Sequence, residues 1–153
     1  LIDFADLDLL IAFSLLNFVI LTNDFIINEI TDLRQKEKTE AIRRAGKLTV
    51  ARTPAEDYTA IQALKIKNLS FADCAVLHYT RKIKGTLLTG DGHLRKTAQS
   101  LKIDVRGIFF IFDEMVAGNI LSKATAREKL IKLSQINNRL PQKEIDKRIE
   151  LWK

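Results

Sequence analysis

Two rhythms of apolar residues alternate along this chain, one at helical spacing and one in short continuous runs. The opening stretch DFADLDLLIAFSLL, residues 3–16, places Leu7, Leu10, Ile11 and Leu15 on one side of a helix, with Asp3, Asp6 and Asp8 near its positive end. FVILT, residues 18–22, is short, apolar and partly β-branched, and Asn23 and Asp24 follow it. It predicts a buried strand running into a helix cap. The helix is DFIINEITDL, residues 24–33, and it carries Glu29. Residues 34–46 are charged and poor in apolar positions, which predicts an exposed helix stopped by Gly46, before a second strand over 48–51.

Helix starts are marked by the same device twice. Thr53, Pro54 and Glu56 have the arrangement of a capping box, opening a helix that reaches about Lys67. Ser70 and Asp73 repeat it, and Ala72, Val76, Leu77, Tyr79 and Ile83 recur at helical spacing until Gly85 ends the run. TLLT, residues 86–89, reads as a third strand, HLRKTAQSLK as a helix and DVRGIF, residues 104–109, as a fourth strand. The remainder is helical: FIFDEMVAG, SKATAREKLIKLSQIN, and a last set of turns after Pro141. Strands alternating with helices predict an α/β fold with a mostly parallel sheet, because parallel neighbours need crossover connections. In open parallel sheets, sites form beyond the carboxyl ends of the strands.

Composition narrows the class. A chain of 153 residues, 46% hydrophobic and 29% charged, makes one ordinary domain. No apolar run approaches the roughly 20 residues of a membrane span, so no membrane partner is expected. Cys74 is the sole cysteine, which excludes a disulfide framework and points to a reducing, cytoplasmic setting, with Cys74 itself a small buried hydrophobe. The net charge of +6 suits a polyanionic partner without requiring one. The chain opens at Leu1 and its one methionine is Met115, so a segment ahead of Leu1 is expected.

Asp91 follows TLLT at once, between Gly90 and Gly92, which allow a sharp turn. That address suits a functional site, and it equally suits the cap of the next helix. Asp73 and Glu29 would tip the balance if they faced the same rim. Three converging carboxylates repel one another unless cations bind, and hard ions such as Mg²⁺ or Mn²⁺ prefer oxygen donors. Spacing alone does not bring these three acids together. His78 and His93 lack a partner at transition-metal ligand spacing and stay outside the candidate set.

The segments NEI (28–30), LSFADCAVL (69–77) and LLTGDGHLRKTAQSLKIDVRGI (87–108) resemble the acidic motifs of PIN-domain nucleases, above all in the T-x-D turn after an apolar strand. The resemblance covers roughly residues 1–120, and the helical tail, 121–153, resembles the ending of some VapC-like toxin ribonucleases. It implies a three-layer α/β/α sandwich whose acidic pocket binds Mg²⁺ or Mn²⁺ and cuts RNA. By that resemblance Glu29, Asp73 and Asp91 are the catalytic and metal-holding acids, and Thr89 is the hydroxyl that orients a carboxylate. Arg95 and Lys96, just past the acidic turn, are the RNA-binding candidates, with Arg81, Lys82 and Lys84 behind them. An antitoxin protein and a second copy of the chain are the implied partners.

One departure from the family pattern matters. The opening strand and the first acid that ends it are missing ahead of LIDFADLDLL, and Asp3 is the nearest substitute. The chain in this form is therefore expected to be catalytically impaired. Leu130, Leu133, Ile136 and Leu140, then Ile145, Ile149 and Trp152, form apolar stripes that either close the protein's own core or bind a partner helix. Two other classes stay open: a non-catalytic RNA-binding relative, and an interaction scaffold without nuclease activity.

Overall fold

A computed structural model describes residues 1–64 and 68–153. The expected end of one helix at Lys67 lies outside the described residues. The elements run α1 (Ile2–Asp6), α2 (Leu10–Ser14), β1 (Leu21–Asn23), α3 (Asp24–Glu29), α4 (Leu33–Arg44), β2 (Thr49–Ala51), α5 (Asp57–Ala63), α6 (Phe71–Lys82), β3 (Leu87–Leu88), α7 (Gly92–Ser100), β4 (Val105–Arg106), α8 (Ile108–Ala117), α9 (Lys123–Ile136) and α10 (Gln142–Leu151). The order and parallel pairing are those of an α/β/α fold of the PIN type, as the sequence pattern and resemblance imply.

The single opening helix predicted over 3–16 is two short helices. Asp8 between them adopts φ +58°, a left-handed conformation that a short polar side chain tolerates better than a bulky one. The break serves burial: Leu7, Leu9 and Leu10 all end inside the core, which one straight helix face would not allow. Only Asp3 then lies in a first helical turn, so the dipole role expected for Asp6 and Asp8 does not hold.

Strand boundaries shift too. β1 starts at Leu21 and not at Phe18, and Phe18 and Val19 are exposed. α3 stops at Glu29, because Ile30 turns extended and is buried, and Asp32 then caps α4 by accepting from the Gln35 amide. Thr53 does not cap a helix. Its hydroxyl donates to Asp24 at 2.7 Å, and α5 begins later, at Asp57. The expected fourth strand is cut to two residues because Ile108 already opens α8.

Both strand pairs are parallel: Leu21 to Asn23 against Thr49 to Ala51, and Leu87 to Leu88 against Val105 to Arg106. The prediction was one sheet. Among the described residues there are two two-stranded sheets, β1–β2 and β3–β4.

The main core gathers the opening helices and the C-terminal helices. It joins Phe4, Leu7, Leu10 and Phe13 from the opening helices to Phe112 and Met115 of α8, Leu130 and Leu133 of α9, and Ile145 and Trp152. Phe4 stacks on Phe13 at 5.2 Å between ring centroids, and Phe112 bridges Phe4 and Trp152. Most of the C-terminal stripe positions thus close the protein's own core, with Leu140 and Ile149 packed at its margin, whereas Ile136 is exposed. A second cluster, Leu77, Leu87, Leu94, Ala98 and Ile103, fixes α6 and α7 on β3. A third holds Cys74, which is buried as expected. No helix among the described residues is long and apolar enough to cross a membrane.

Candidate active site

Each candidate acid is delivered by a local signal. Asp73 sits at the third position of α6, where Ser70 caps the helix by accepting from the Asp73 amide at 3.0 Å and the Asp73 carboxylate accepts from the Ser70 amide at 2.9 Å. This reciprocal capping box holds Asp73 at the helix start. Asp91 caps α7, its Oδ1 accepting from the Leu94 amide at 2.7 Å. Capping and placement at a site are therefore not rivals at Asp91. Glu29 ends α3, the helix that leaves β1 directly.

All three acids line a single cavity of about 990 Å³ that opens to solvent between the two strand pairs. Glu29 and Asp91 are exposed and Asp73 is half-buried, so each can be reached from outside. Partial burial lifts the Glu29 carboxyl above its ordinary value, and the charge of Asp73 lifts it further. The two carboxylates therefore feel one another. Asp3 and Asp104 line the same cavity, and Asp3 lies beside Gly90, its Oδ2 3.7 Å from where a β-carbon on that glycine would stand.

The remaining candidates are placed differently. Thr89 Oγ accepts from the Asp91 backbone amide at 3.1 Å, a bond that shapes the turn carrying Asp91. Arg95 and Lys96 are absent from the cavity wall. Arg95 folds back over Gly107, where a side chain would collide with its guanidinium, and it donates to the Thr89 carbonyl at 3.4 Å. Lys96 is exposed. Of the cations on α6, Lys82 is paired with Asp57 at 2.8 Å.

Arg106 was missed. It is the one Lys or Arg side chain among the described residues of the cavity wall, lying over the Phe110 ring at 5.4 Å and facing Asp104 at 3.6 Å. Its signal was present in the sequence, as the variable position of the V-x-G strand.

Five carboxylates against one arginine make this wall acidic on a chain that is basic overall. The donor set is hard oxygen throughout, the chemistry that suits Mg²⁺ or Mn²⁺. No group of three His, Cys, Asp or Glu side chains among the described residues already stands close enough together to hold an ion. Glu29 and Asp73 are the pair in electrostatic reach, with Asp91 across the same hollow.

An acidic pocket beyond the carboxyl ends of short parallel strands, framed by helices, defines a nuclease-type α/β domain. A family model described as DUF3368, PIN domain, matches residues 1–153, and the chain belongs to that family. PIN domains are generally nucleases and typically use divalent metals, which supports a hydrolase-type activity here. No curated protein matches the chain.

Proposed function

We propose that the protein is a metal-dependent endoribonuclease that hydrolyses RNA phosphodiester bonds, and that it serves as the toxin of a toxin–antitoxin pair in the cytoplasm. The observation that carries the enzymatic part is the shared cavity of Glu29, Asp73 and Asp91, with the Glu29 carboxyl raised beside Asp73. A phosphate approaching this acidic wall would be repelled, so a bound cation is the condition for engaging RNA at all.

Glu29, Asp73 and Asp91 would hold the divalent ion. Such an ion supplies Lewis-acid stabilisation of a phosphoryl oxygen and lowers the pKa of water. The side chains orient the phosphate against that charge, Arg106 at the wall offers a further contact to it, and Thr89 keeps the Asp91 turn in shape. Cys74 is buried and off the cavity wall, so its thiol is not placed to compete with water as nucleophile, and in this reading water attacks directly. The toxin role, an antitoxin partner and a homodimer rest on the resemblance to VapC-like members.

The test is RNA cleavage in Mn²⁺ by the protein expressed from its native start, as wild type and as Asp91→Asn. Cutting that disappears in the variant supports the enzyme. RNA binding without cutting by the wild type supports a non-catalytic relative instead, and neither binding nor cutting leaves an interaction scaffold.

A further inference from the structure

A second, smaller pocket forms where β1 and β2 end, the side of a parallel sheet on which ligands bind. Asn23 closes β1, Ala51 closes β2, and α6 stands between this pocket and the acidic cavity. Val76 and Thr80 line the cavity, Ala75, His78 and Lys82 line the pocket, and Tyr79 borders both. The volume is about 160 Å³, roughly half the ~300 Å³ at which pockets for drug-sized ligands begin. That is room for one flat ring, and a whole nucleotide would not fit inside.

Polar atoms on this wall are left unanswered. Asn23 is 1% exposed and its Oδ1 accepts from the Ile26 amide at 3.0 Å, but its Nδ2 has no hydrogen-bond partner among the described residues. His78 Nε2 is buried without one as well, 3.4 Å from the Asp57 carboxylate and not aligned to donate to it. Buried polar groups are almost always paired, so these nitrogens call for a guest with hydrogen-bonding atoms at its edge. The rest of the wall says what kind. Ala51, Pro54, Ala75 and Ile83 are apolar, and the carboxylate of Asp57 is already met by Lys82 at 2.8 Å. A bare phosphate would face apolar groups and a carboxylate, which disfavours it. A nucleobase has apolar faces and polar edges together. Tyr79 offers it a ring, and Arg52, whose side chain makes no ion pair or hydrogen bond among the described residues, offers a guanidinium plane.

We propose that this pocket takes one unstacked nucleobase of the RNA, with Asn23 Nδ2 donating to an acceptor on the base edge and Arg52 covering the base at the rim. The inference rests on the reading of RNA as the substrate. Asp73 and His78 are five residues apart on α6, which is about 7.5 Å along the helix axis, or about two base rises of 3.4 Å. A base held here belongs to a nucleotide next to the phosphate at the acids, or to the one beyond it. Asn23 and His78 thereby set where along a strand the cut falls.

The experiment titrates the 5′-monophosphates of adenosine, cytidine, guanosine and uridine, then ribose 5-phosphate and inorganic phosphate, into the metal-free protein. NMR follows the Asn23 side-chain amide and the His78 ring. At least one nucleotide is expected to shift both signals saturably, and ribose 5-phosphate and inorganic phosphate to shift neither. Asn23→Asp keeps the acceptor for the Ile26 amide and loses the N–H, so binding read at His78 is expected to weaken by about tenfold, the scale of one hydrogen bond. Arg52→Ala is expected to weaken it by about threefold at unchanged Tm, and it decides the matter if Asn23→Asp does not fold. Equal shifts from ribose 5-phosphate overturn the proposal in favour of a phosphate site. Silence with every nucleotide overturns it too, since water then fills the pocket, and so does full-strength binding by the variants. RNA cleavage without nucleotide shifts sinks this proposal alone, whereas nucleotide shifts without cleavage sink only the nuclease reading.

Discussion

Thr53 donates to the carboxylate of Asp24 from both its backbone amide and its hydroxyl, the latter at 2.7 Å, across 29 residues of sequence. This clamp ties the end of β2 to the first turn of α3, the helix that delivers Glu29. Burial works to raise the Asp24 carboxyl, but the hydrogen bonds from Thr53 and from the Phe25 amide outweigh it and hold the group below its ordinary value. A depressed folded-state pKa gives stability that is fully present above the ordinary Asp value of about 3.9 and disappears as pH falls through the lower folded value. Asp24→Ala is expected to cost about 1–3 kcal/mol at pH 7 and to lose less against wild type in strongly acidic solution. Urea melts at pH 7 and pH 3 check it; equal losses at both would break the link to charge.

Glu29 has the opposite sign. Its folded-state pKa is raised, so the folded protein binds more protons than the unfolded chain between the two values, and stability falls as pH rises through that window. Glu29→Gln is therefore expected to raise Tm at neutral pH and to leave it unchanged at pH 3. Under the proposed function, Mn²⁺ raises the Tm of wild type more than that of the variant. Thermal scans with and without the ion read both effects.

Asp91 carries two jobs that substitutions separate. Asn keeps an acceptor for the Leu94 amide, whereas Ala loses the cap at about 1 kcal/mol. The expected outcome is RNA cleavage abolished in both variants but Tm lowered appreciably only in Asp91→Ala. Cleavage surviving in Asp91→Asn would remove this carboxylate from the site.

Trp152 is buried against Phe112, 6.2 Å between ring centroids, next to the end of the chain. Trp152→Ala is expected to destabilise by about 3–5 kcal/mol, measured by chemical denaturation. A loss below 1 kcal/mol would mean that the last helix merely lies on the surface.

What was legible in the sequence was what neighbours decide. Ser70 and Asp73 are three residues apart, and their capping box forms as the spacing predicts. The same spacing at Thr53 and Glu56 fails, because the Thr53 hydroxyl is taken by Asp24 from a distant element. The Asp8 break was hidden because it depends on where three leucines find room, and no local signal states that. The meeting of Glu29, Asp73 and Asp91 in one cavity could not be read from spacing and came only from the resemblance. Arg95 was attractive for its position in sequence, yet its side chain is turned back onto Gly107, a packing fact with no sequence signature.

The opening helices are locked from the far end of the chain. Lys129 donates to the Leu7 carbonyl across 122 residues, and Leu130, Leu133, Ile145 and Trp152 pack on Phe4, Leu10 and Phe13 through a shared core. During synthesis the first helices emerge long before the residues that shelter their apolar faces. Until α9 and α10 leave the ribosome, those faces are open to chaperones and to other nascent chains, so maturation of this fold waits on those two helices.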